Sequence, residues 1–110
     1  MEDIRLLNRV QGKEIEVLEL RLFQDFEVQG ISLSIICLCE NQRYMIQFAN
    51  VSHLKIENFS YPLQICGFEI HNNRDRGWDS HAKYTVNDFE DGTIAFYCEN
   101  IVIKDAELAS

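Results

Sequence analysis

The sequence predicts an all-β protein: an antiparallel β-sandwich or partly closed barrel of six to eight strands, with at most one short N-terminal helix. Three observations predict it. Apolar and polar residues alternate with a period of two along most of the chain, the repeat of a strand with one face buried. Short polar breaks, Asn41-Gln42 and Asp91-Gly92, separate alternating runs as hairpin turns do. Several runs, Ile35-Ile36-Cys37 and Ile94-Ala95-Phe96-Tyr97 among them, are apolar on both faces, which suits two packed layers better than one open sheet.

Helical spacing is confined to the first ten residues, where Ile4, Leu7 and Val10 share a face. Such a segment is too short to be stable alone, and the competing reading makes 6–10 a strand turned by Gln11-Gly12. Residues 15–23 place Leu18, Leu20 and Leu22 on one face, while the other mixes Ile15, Val17 and Phe23 with Glu19 and Arg21. Residues 31–39 gather Ile31, Leu33, Ile35, Cys37 and Cys39 on one face, with Ser32 and Ser34 opposite. After Asn41-Gln42 the chain returns with Tyr44, Ile46 and Phe48 on one face and Arg43 and Gln47 on the other. Two further runs, 53–59 and 63–70, follow. Gly67 in the second predicts a bulge or a close approach of another chain segment. Residues 71–83 are polar and read as a loop. Asp91-Gly92 then predicts a type I′ hairpin turn, with positive φ at both positions, between strands at roughly 84–90 and 93–99.

The 110 residues make one domain, 1–110, because no Gly-, Ser- or Pro-rich linker divides them and no repeat recurs. The hydrophobic share of 46% and the 7 Phe, 4 Tyr and 1 Trp exclude disorder. No apolar run approaches the length of a membrane span, and the acidic start Met1-Glu2-Asp3 is unlike the basic start of a signal peptide. The formal charge is −8 and the pI about 4.7. That excludes nucleic acid, whose phosphates need a basic face, and docking on an anionic membrane. It suits a basic protein partner. The acid is concentrated near the ends: residues 86–110 hold Asp88, Glu90, Asp91, Glu99, Asp105 and Glu107 against Lys104 alone.

Cys37, Cys39, Cys66 and Cys98 each lie in an apolar run, as buried free thiols do. Their spacing matches neither a zinc knuckle nor a disulfide framework, so they read as reduced core residues in a cytoplasmic protein. The 71–83 loop holds His71, Arg74, Asp75, Arg76, Trp78, Asp79 and His81. The two histidines are ten residues apart with no ligand-pair spacing, so neither metal nor cofactor is expected. Trp78 is either a cap on an open end of the fold or an exposed binding platform. No nucleophile elbow or phosphate loop occurs, and thiols in apolar runs of an acidic protein are poor nucleophiles. The chain is therefore expected not to be an enzyme.

Residues 46–103 resemble small acidic bacterial β proteins of the kind that serve as immunity partners in polymorphic-toxin systems. The resemblance rests on the strand ending Asn50-Val51, the Gly67-Phe68-Glu69 strand, and Phe89-Glu90-Asp91-Gly92 leading into Phe96-Tyr97-Cys98. It implies an inhibitor that binds a toxin and has no active site. The expected function is thus a non-catalytic cytoplasmic binding protein, an immunity protein that blocks a basic toxin through an acidic surface. The alternative is a sugar- or metabolite-binding module that uses the 71–83 loop at an open end of the fold. The expected partner-binding residues are Tyr97 and Glu99, with Glu90, Asp91 and Trp78. Tyr97 shares the parity of Ala95 and Glu99, opposite that of Ile94, Phe96 and Cys98, and so offers an acid-flanked aromatic anchor on the outward face.

Overall fold

A computed structural model describes residues 4–57, 60–73 and 83–106. They form one short helix, α1 (Ile4–Val10), and eight strands: β1 (Lys13–Asp25), β2 (Gly30–Cys39), β3 (Gln42–Ala49), β4 (Ser52–Ile56), β5 (Gln64–Asn72), β6 (Tyr84–Asp88), β7 (Ile94–Cys98) and β8 (Asn100–Asp105). All pairings are antiparallel. They build one sheet in the order β4-β7-β6-β5-β1-β2-β3-β8.

The sheet is not closed, because β4 and β8 remain its edges, yet it wraps nearly around its core. β3 runs into β4 through Asn50-Val51, and β7 runs into β8 through Glu99. The two bent strands keep pairing across the corner, from Phe48↔Ile101 and Ala49↔Asn100, through the Glu99 N–H donating to the Ala49 carbonyl at 2.9 Å, to Ser52↔Tyr97. Bending both strands at one place turns a flat sheet into a partly closed barrel.

The inward faces are those the alternation marks: Leu33, Ile35, Cys37 and Cys39 from β2, Tyr44, Ile46 and Phe48 from β3, Ile94, Phe96 and Cys98 from β7. Side chains fill the interior. Phe48 and Phe96 meet across it edge-to-face, with ring centroids 4.9 Å apart. The first segment is a helix rather than a strand. It buries Leu7 and Val10 and stops at Gly12, whose φ of +71° is the left-handed geometry that ends helices. The adjoining Gln11 amide takes the place of a strand against β5, donating to the Ile70 carbonyl at 3.0 Å and accepting from the Ile70 N–H at 3.1 Å.

The structure corrects four expectations. The β2–β3 turn is Glu40-Asn41, with φ of 51° and 66°, and Gln42 already pairs with Cys39. Asn tolerates this geometry, which displaces the turn by one residue. The β6–β7 connection is not a type I′ turn on Asp91-Gly92. Only Gly92 has positive φ, the strands stop at Asp88 and resume at Ile94, and the loop between them is organised by the Asp88 side chain. In β1 an extra residue interrupts the ladder between Val17↔Cys37 and Glu19↔Ile36. This bulge reverses the strand's parity, so Ile15 and Val17 are buried, while Leu20 and Leu22 pair with inward-facing Ile35 and Leu33. Finally, Cys66 lies on the outward face, half-buried, whereas Cys37, Cys39 and Cys98 are buried.

Candidate functional site

The four strands β5-β6-β7-β4 present a continuous outward face. Cross-strand register sets His71 opposite Thr85, Thr85 opposite Tyr97, and Tyr97 opposite Ser52. The neighbouring row runs Glu69, Asn87, Ala95, Lys55. Directly opposed residues in antiparallel strands share a face, so Tyr97 stands near the middle of a polar row. Its half-buried ring is held by His53 at 5.6 Å between centroids, nearly perpendicular. His53 can reach it because a positive φ of 55° breaks the β4 ladder between Ser52 and Lys55. The charges on this face are partly compensated: the His71 Nε2 contacts the Glu69 carboxylate, and Lys55 pairs with Glu57 at 3.1 Å.

Glu99 sits at the corner where β7 becomes β8, two residues from Tyr97. Glu90 and Asp91 lie at the opposite end of β7, in the loop after β6, so the expected acids do not form one patch. Asp91 lines a groove together with Cys66. The nearby carboxylate, with burial, pushes the Cys66 thiol up to about 11. Trp78 lies outside the described residues, as do Arg74, Asp75, Arg76, Asp79, His81 and Glu107. The sugar-platform expectation for the 71–83 loop falls there too. His53, Lys55, Glu69 and Thr85 were not singled out from the sequence. Only the pairings of β4 and β5 with their neighbours bring them to Tyr97.

The loop beneath Glu90 and Asp91 is built on Asp88, which is 3% exposed. Its Oδ1 accepts from the N–H groups of Gly67, Glu90 and Asp91 at 3.0, 3.1 and 3.2 Å, and its Oδ2 from Thr93 at 3.3 Å. Burial by itself would raise this carboxyl, but the four backbone bonds outweigh it and hold the group below the usual carboxylate range. Gly67 allows the approach: a Cβ there would lie 2.7 Å from the Phe89 ring and 2.9 Å from the Glu90 Cγ.

The described residues include no helix long and apolar enough to cross a membrane and no cluster of three potential metal ligands. Among the open grooves between described residues, two lie beside β1 and β5. One of about 300 Å³ is lined by Ser60, Gln64, Cys66, Asp91 and Thr93. The other, of about 560 Å³, runs along Glu16–Leu20 and Ser60–Leu63. No family model, curated protein or solved structure matches the chain significantly.

Proposed function

We propose that this chain is a non-catalytic cytoplasmic binding protein, an immunity protein that blocks a basic toxin. The observation that carries the reading is Tyr97: an aromatic on an outward sheet face, braced by His53, next to the corner acid Glu99. A rigid, partly exposed tyrosine beside a charge is the kind of anchor on which interfaces depend. The charge of −8 steers a basic partner toward the protein and covers the surface that partner would use for nucleic acid.

The test is co-expression with the product of the adjacent gene. Growth restored by this chain, and restored less well by the Tyr97→Ala and Glu99→Lys variants at equal abundance, is the expected result. A neighbouring product that is not toxic, or rescue unaffected by both substitutions, would overturn the reading.

A further inference from the structure

Among the described residues, the second half of β1 is an open edge. β1 pairs with β5 only through Lys13–Glu16, and its last contact on that side is the Val17 N–H donating to the Leu63 carbonyl at 2.8 Å. From Leu18 to Asp25 the strand pairs with β2 on one side, and among the described residues no strand pairs with the other. Exposed edges are normally shortened, bulged, charged or covered. β4 is five residues long and broken at His53, and β8 has α1 packed beside it. The β1 edge carries a bulge after Val17 and the exposed charges of Glu19 and Arg21, but it also shows apolar side chains. Leu22 is 51% exposed, Phe26 at the hairpin tip 84%, and Tyr61 beside the edge 98%.

We propose that this edge pairs with the same edge of a second copy, making a two-fold symmetric dimer with one sheet continuous across it. The sequence of the edge is self-complementary. An antiparallel pairing about a two-fold axis sets one residue opposite its own copy. With Leu20 at the axis, Glu19 faces Arg21 of the second copy and Arg21 faces its Glu19. Both Glu19 and Arg21 are exposed, and Arg21 already lies extended over the Phe23 ring at 4.9 Å.

Other registers are poorer. Centring on Glu19 or Arg21 opposes like charges, and centring on Leu22 sets Glu19 against Asp25. Centring on Phe23 would use the Asp25 carboxylate, which is already taken by the Glu27 N–H at 3.0 Å and the Ser32 hydroxyl at 3.2 Å. The exposed stretch from Leu18 to Gln24 contains one acid and one base, a balance that fits another copy of itself better than a strongly basic strand. The pairing is confined to the stretch from Leu18 to Leu22, because Glu16 and Val17 are already bonded to Gln64 and Leu63.

The experiment is sedimentation velocity on the full chain at physiological salt. The wild type is expected to be a concentration-dependent dimer. Glu19→Arg and Arg21→Glu should each weaken dimerisation by about tenfold or more, since each turns two attractive cross-strand pairs into repulsive ones. Circular dichroism on each should match the wild type, because both side chains are exposed. Mixing the two variants should restore a dimer, a heterodimer in which Arg faces Glu at both pairs. A wild-type chain that stays monomeric, leaving the edge to a strand of another protein, would overturn the proposal. So would a dimer indifferent to both reversals, or variants that do not pair when mixed. None of these outcomes depends on the toxin assay.

Discussion

The carboxylate of Asp88 holds four N–H groups drawn from two separated stretches of chain, Gly67 on one side and Glu90, Asp91 and Thr93 on the other. Replacing it by Ala leaves those donors without their acceptor, Gly67 and Thr93 in buried positions, and we expect a loss of about 3 kcal/mol in urea unfolding at neutral pH. Asp88→Asn keeps the shape but not the charge and should cost less. The pH dependence has a definite sign. The folded-state pKa lies below the ordinary value, so Asp88 stabilises fully above the unfolded-state pKa of about 3.9. Its contribution is lost as pH falls through the folded value. The difference in stability between wild type and Asp88→Asn should therefore be constant at neutral pH and shrink on acidification. A difference that grows on acidification would contradict the assignment.

At the scale of elements, the strands were legible and several joints were not. Period-two alternation placed the inward faces of β2, β3 and β7, because a buried face tolerates little else. It failed in β1, where a bulge at Leu18 changes the parity partway along the strand, and nothing in Val17-Leu18-Glu19 marks that. The corner at Glu99 was only half legible: the alternation ends a strand near residue 99, but the continuation as β8 and the bend between them are set by pairing with β3 and β4. The β6–β7 loop was visible through Gly92, but its organiser, Asp88, looked like an ordinary strand residue. Gly67 was a true signal: its backbone lies against Phe89. The cysteines show where composition misleads. Burial pushes Cys37 and Cys98 up to about 12 and raises Cys39 as well. On the outward face, the Asp91 carboxylate beside it raises Cys66 to about 11. A thiol reagent under native conditions should label Cys66 first and slowly, with the other three reacting only on unfolding. The Asp91→Asn variant should label faster at Cys66. Equal rates for all four thiols would contradict the observed faces.

At the scale of the whole molecule, the two proposed associations respond to salt in opposite directions. Binding of a basic partner draws on attraction between net charges and weakens as salt rises. Dimerisation through β1 works against the charge of −8 on each chain. Treating two such chains as point charges about 30 Å apart in water gives a repulsion of about 3 kcal/mol at 0.01 M salt and about 0.2 kcal/mol at 0.15 M. The two Glu19–Arg21 pairs are also screened, but exposed pairs are each worth less than about 1 kcal/mol even at low salt, so the net repulsion governs the trend. The dimer should therefore tighten by roughly a hundredfold between these conditions, measured as the midpoint of the monomer–dimer transition in sedimentation. Tyr97→Ala should leave that midpoint unchanged, because Tyr97 lies on the β4–β7 part of the sheet and not on the β1 edge. Arg21→Glu should in turn leave binding of a partner at Tyr97 largely intact. A dimer that loosened with salt would show that attraction between charges holds it together, and the apolar edge would lose its role as the seam.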